Sequence, residues 1–249
     1  MAKLARLVDG MTAALQIEPS RIRTAAAQLR KYKLLSSGPR GSGAPEMGPT
    51  DAANLLLAVM YDGELADAQN TVQRLRAAKL CNFEGSRPGP NGEKMHSLPR
   101  NGFITTSSGE AYDLGTLLET ALDWWVRYGY LDEGDEGDNY DLDVVNFRLE
   151  VSCPGYQADV SFNTPTGLFW RLRYEWKSPE RIAYEADGDQ RFRAVWNART
   201  GPHLWSSRTV SEDCLYQLAQ VLRGCEWNDE WDEFTPSYDA VQTKVLETA

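Results

Sequence analysis

The amino-acid sequence predicts an α+β fold, with helices first and then an antiparallel β-sheet packed by helices. One change of hydrophobic period and one break carry that expectation. From residue 3 to about residue 128, apolar side chains recur every three or four positions, the spacing of amphipathic helices. From residue 144 to 209 they alternate with polar ones, the spacing of strands with one buried and one wet face. Within the first regime lies EGSRPGPNGEKMHSLPRNG, residues 84–102, whose prolines and glycines read as a linker. The expected division is a helical region at 1–83, the linker at 84–102 and an acidic α+β region at 103–249.

Each element follows from local pattern. Leu4, Leu7, Val8, Met11, Ala14 and Leu15 form one stripe of a first helix over residues 3–16. Glu18-Pro19-Ser20 supplies a turn, with Ser20 the expected N-cap of a second helix. That helix runs to about Tyr32. It turns Ile22, Ala25, Ala26, Leu29 and, at its end, Tyr32 inward and Arg21, Arg23, Thr24, Gln28 and Lys31 outward. The segment SSGPRGSGAPEMGP then stops helical structure. DAANLLLAVM, capped by Thr50 or Asp51, reads as a third helix. ELADAQNTVQRLRAAKL reads as a fourth, with Leu65, Ala68, Val72, Leu75 and Leu80 inward. A largely apolar fifth helix spans about Asp113 to Tyr128.

VVNFRLEV, GYQADVSF and GLFWRLRYEWK alternate as strands, and RFRAVW and HLWSSR are two further candidates. NTPTG and EADGDQ are suitable turns between them. Ser211 caps a last helix, SEDCLYQLAQVLRG, which Gly224 ends and which covers the apolar face of the sheet.

A short apolar helix, a tight turn and a second helix with a polar outer face make a helix-turn-helix arrangement. VDGMTAALQIEPSRIRTAAAQLRKYKLLSSGPRGSGAPEM resembles the winged helix-turn-helix modules of bacterial and phage proteins, in which the second helix leads into a glycine-rich wing. Residues 1–80 also resemble the amino-terminal region of uncharacterised phage- and prophage-encoded proteins, most closely in GPRGSGAPEMGPTDAANLLLAVM. The resemblance implies a winged-helix-turn-helix-like motif and double-stranded DNA as partner. Ser20, Arg21, Arg23, Thr24, Gln28 and Lys31 would then lie along the major groove, with Arg40 at a phosphate or in the minor groove. Lysine would add a salt-dependent phosphate contribution. The chain departs from the pattern after Leu35, where the β-branched residues of a wing hairpin are missing, and at Ala25–Ala27, where base-reading groups are few. A helical unit that packs or oligomerises without DNA is the competing reading.

Charge is distributed unevenly. Residues 1–100 hold 14 Lys/Arg against 9 Asp/Glu, a balance of +5, whereas residues 101–249 hold 12 against 27, a balance of −15. A basic head on an acidic body points to two surfaces with two partners. EWNDEWDEF, residues 226–234, interleaves five acids with three aromatic rings, as a docking segment does. Its candidate partner-binding residues are Trp227, Asp229, Glu230, Trp231, Asp232, Glu233 and Phe234; closing the core from outside is the equal alternative. Arg148, Arg171, Arg173, Lys177, Arg191 and Arg193 share the wet face of the sheet. Glu150, Asp159 and Glu175 lie there too, so cross-strand ion pairs account for them most simply.

Several chemistries are not expected. DEGDEGDNYDLD, residues 132–143, puts Gly134 where an EF-hand loop needs its second ligand, so it reads as a solvated acidic loop. The four cysteines are scattered and only two histidines exist, so no metal site or cofactor is expected. GxSxG, HExxH and GxxxxGK[ST] are all absent, and the chain is expected not to be an enzyme. No apolar run approaches the roughly 18 residues of a membrane span, and no apolar core follows MAKLARLVDG, so a cytoplasmic location is expected.

The favoured function is a phage or prophage DNA-binding regulator, with the acidic region serving oligomerisation or partner contact. The alternatives are an anti-defence inhibitor whose acidic region mimics nucleic acid, and a phage assembly or packaging adaptor.

Overall fold

The computed structural model describes residues 2–39, 43–86, 94–95, 97–98, 103–128, 145–153, 155–164, 167–178, 206–228 and 233–236. The α+β expectation holds. The helices are α1 (Leu4–Leu15), α2 (Pro19–Lys31), α3 (Pro49–Met60), α4 (Ala68–Arg76), α5 (Leu114–Tyr128) and α6 (Glu212–Arg223). The strands are β1 (Lys79–Ser86), β2 (Lys94–Met95), β3 (Val145–Cys153), β4 (Gln157–Asn163), β5 (Phe169–Glu175), β6 (Ser206–Ser211), β7 (Cys225–Asn228) and β8 (Glu233–Pro236).

Six strands form one antiparallel sheet in the order β2-β1-β5-β4-β3-β6, and β7 and β8 pair separately. Strict alternation sets the faces. Phe147, Leu149, Val151, Ala158, Val160, Phe162, Trp170, Leu172 and Tyr174 are buried. Their neighbours Arg148, Arg171 and Arg173 are exposed on the other side. The Thr164–Gly167 turn expected between β4 and β5 is closed by Gly167 N–H donating to the Thr164 carbonyl (2.8 Å), with Gly167 at φ 79°. RFRAVW and EADGDQ lie outside the described residues.

The apolar face of the sheet packs against helices, with α6 against β3 and β6. Ser211 stands at the N-cap of α6 and Gly224, at φ 87°, ends it, as expected. The centre of the helical layer is α3, whose residues Asp51–Met60 are all buried. The unbroken apolar run NLLLAVM suits a helix surrounded on every side rather than an amphipathic one. Two arginines from outside it cap its carboxy-terminal carbonyls. Arg208 of β6 donates to Val59 O (2.9 Å) and to Asp62 Oδ1 (2.7 Å), and Arg21 of α2 donates to Tyr61 O (3.2 Å). Cations at this end also meet the negative pole of the helix dipole.

The fourth helix departs from expectation. It stops at Arg76, and Lys79–Ser86 is a strand that pairs along β5. Two alanines and a lysine let the helical pattern be read onward to Leu80. The pairing partner that makes a strand of this stretch lies about ninety residues later. Residues contributed before and after positions 84–102 belong to one continuous buried cluster.

Candidate nucleic-acid interface

α2 is positioned from below and from both ends. Ile22, Ala25, Ala26 and Leu29 are buried as expected, packing the helix against α1 and α3. Its start differs: Pro19 occupies the first helical position and Glu18 the N-cap, so Ser20 is inside the helix and not its cap. Proline's fixed φ suits that first position, where no N–H partner is needed. Ser20 instead uses its carbonyl, which accepts the Thr24 hydroxyl (2.8 Å). At the other end Lys33 takes a left-handed φ of 59°, and Leu34 N–H donates back to Leu29 O (2.9 Å), a Schellman closure.

The expected DNA-contact residues separate into two groups. Ser20, Arg23, Thr24 and Lys31 are exposed, and Lys31 Nζ lies 5.2 Å from the centre of the Tyr32 ring. Arg21 and Gln28 are half-buried. Arg21 is turned to the end of α3, where it meets the Tyr61 carbonyl and lies 3.9 Å from Asp62. Arg30, absent from the expected set, is exposed. Its signal was available, because it sits two helical turns after Arg23 on the same flank. Arg23 and Arg30 border a groove of about 360 Å³ between α1 and α2, floored by Leu4, Val8, Ala26 and Ala27.

The glycine-rich segment after α2 shows no β-hairpin among its described residues. Its one bridge joins Met47 to Ala2. The buried carboxylate of Asp51 ties both ends of the segment to α3 instead. It accepts Ser36 N–H (2.7 Å), Ser36 Oγ–H (3.0 Å) and Gly48 N–H (2.9 Å). The described residues on either side, Ser36 and Gly48, are thus both fastened to α3. Arg40 lies outside the described residues.

The described arginines of the sheet's outer face meet carboxylates. Arg173 Nε and Arg171 Nε lie 3.0 and 3.5 Å from Asp159 Oδ1, and Arg148 lies 4.0 Å from Glu150. Cross-strand ion pairing accounts for Arg171 and Arg173 as expected, whereas Arg148 and Glu150 belong to the same strand, and Arg191 and Arg193 lie outside the described residues. Of the candidate partner-binding residues, Trp227 lies in β7, and Glu233 and Phe234 lie in β8, with Trp227 directly opposite Phe234 in the register. Asp229, Glu230, Trp231 and Asp232 lie outside the described residues.

Elsewhere the polar groups of the interior serve packing. The Arg74 guanidinium lies 4.9 Å from the Tyr156 and Trp176 ring centres and donates to the Tyr156 hydroxyl (2.7 Å). Tyr61 stacks on Tyr156 at 5.0 Å. Burial, then the Cys153 thiol, pushes the Tyr61 phenol far above its ordinary value, and burial does the same to Tyr174. Among the described residues no three His, Cys, Asp or Glu side chains gather as a metal site, and no helix is long and apolar enough to cross a membrane. No protein-family model, curated protein or solved structure matches the chain.

Proposed function

We propose that the chain is a non-catalytic, cytoplasmic DNA-binding regulator of the phage kind that its amino terminus resembles, with its acidic carboxy-terminal region serving self-association or partner contact. One observation carries the DNA half. The exposed side of α2 presents Ser20, Arg23, Thr24, Arg30 and Lys31 with no acidic residue anywhere in the helix. Such a surface attracts a polyanion, and a helix of 13 residues held on a rigid base is long enough to lie in a major groove. Arg21 enters this reading as a residue that positions α2 against α3, not as a DNA contact.

Fluorescence anisotropy with labelled duplex from the region upstream of the chain's own coding sequence tests it. Binding is expected to weaken steeply with salt. Arg23→Ala with Lys31→Ala should reduce affinity at least about tenfold and flatten the salt slope by about 2. Arg21→Ala should lower stability and leave the slope unchanged. If the Arg23/Lys31 double variant binds as tightly as the parent, α2 is not the recognition helix.

A further inference from the structure

We propose that the groove between α1 and α2 is a self-association site, filled by the acidic, aromatic segment 226–234 of a second copy of the chain. This deepens the self-association half of the proposed function and shares Arg23 and Arg30 with the DNA half, so the two are told apart through Lys31 and through segment 226–234.

The floor of the groove has the composition of a protein interface. Its Leu4, Val8, Ala26 and Ala27 offer nothing to a phosphate or a base edge, while Arg23 and Arg30 line the α2 side and Asp9 the α1 side, leaving the rim one positive charge in excess. Seven residues separate them, about 10 Å along the helix. An apolar centre with an arginine rim is the pattern of interface hot spots. A fitting occupant supplies a ring for the floor and carboxylates spaced to meet two guanidinium groups. EWNDEWDEF supplies three rings and five carboxylates, with no basic residue in nine.

Placement favours the same pairing. Cys214 near the start of α6 lies against the Ala14 carbonyl (3.0 Å), while Val221 near its end lies against Gly10, so α6 runs antiparallel to α1. β7 begins at Cys225, directly after α6, and so leaves beside the amino-terminal half of α1, the half that contributes Leu4 and Val8 to the groove. Within one copy β7 pairs with β8, and the groove walls are formed by α1 and α2 alone. A two-fold pair exchanging segments would fill both grooves reciprocally. Each groove is small, about 360 Å³, so a weak, micromolar dimer is expected.

Sedimentation equilibrium of the full chain between about 1 and 100 μM tests this. The parent should dimerise at low salt and dissociate as salt rises. Arg23→Glu/Arg30→Glu and, separately, Glu226→Lys/Glu233→Lys should each weaken dimerisation at least tenfold, and mixing the two variants should restore it. A parent that stays monomeric, a charge-reversed variant that dimerises unchanged, or a mixture that fails to associate although both variants fold, overturns the proposal. Should either variant misfold, a labelled peptide of residues 225–236 titrated with the parent protein decides: saturable, salt-sensitive binding supports the site and its absence overturns it. The two proposals fail separately. Lys31→Ala tests DNA contact alone, and Glu226→Lys/Glu233→Lys tests association alone.

Discussion

Asp51 is 5% exposed, yet it accepts three hydrogen bonds from two segments twelve residues apart in sequence. A buried carboxylate is tolerable only when its oxygens are met in this way. One side chain therefore caps α3 through Gly48 and anchors the loop that follows α2 through Ser36. Asp51→Ala should cost about 2–4 kcal/mol in urea unfolding, because two backbone donors lose their acceptor in partly buried positions. A loss under about 0.5 kcal/mol, the level of an ordinary surface change, would show that the loop holds itself. Asn54 extends the same logic: it donates to Leu34 O (2.7 Å) and accepts from Arg76 (2.7 Å), and Arg76 also pairs with Glu119.

Among the elements, α5 depends on one cap. Asp113 accepts Thr116 N–H (2.9 Å) and faces Lys79 Nζ at 3.5 Å. Desolvation works to raise its pKa. The Thr116 hydrogen bonds and the Lys79 charge outweigh it, so the carboxyl sits below its ordinary 3.8. A lowered carboxylate value stabilises the fold above the unfolded pKa and loses that contribution as pH falls through the folded one. Asp113→Asn should therefore lower stability at pH 7 and make the variant less sensitive than the parent to acid below about pH 4. Parallel pH-stability curves for the two proteins would remove Asp113 from the acid response. β1 teaches the opposite lesson, since it has no internal pattern that prefers a strand. Its pairing along β5 places Glu84 opposite Arg171 and Asn82 opposite Arg173.

In the molecule as a whole, the first helix closes against the last. α1 and α6 approach so closely that a Cβ on Gly10 would lie 2.6 Å from Val221 Cγ2. Glycine inside a helix costs about 0.5–1 kcal/mol relative to alanine, so it is kept here for the approach it permits. Gly10→Ala should regain that helix propensity and lose more to overpacking, about 1–3 kcal/mol. Combined with Val221→Ala it should show a favourable coupling of at least about 0.5 kcal/mol in a double-mutant cycle. Additive effects would mean that the helices slide apart at little cost. The chain's charge asymmetry belongs to this level too: α2 holds no acidic residue, whereas residues 101–249 carry a balance of −15.

The fold class, most of the helices with their buried stripes, the faces of β3, β4 and β5, and the cap and stop of α6 were legible in the sequence. These follow from periods of 3.6 and 2 and from local backbone preference, which nearby residues settle among themselves. The sequence also singled out α2 as a basic surface. Tertiary structure alone decided that Lys79–Ser86 is a strand, because its hydrogen-bond partners are far along the chain. It decided that Arg21 faces α3 while Arg30 faces the groove, because which flank of an exposed helix is wet depends on what packs beside it. The segment after α2 was half legible. Missing β-branched residues argued against a hairpin, but the Asp51 tie appears only once Ser36 and Gly48 are brought to the same carboxylate.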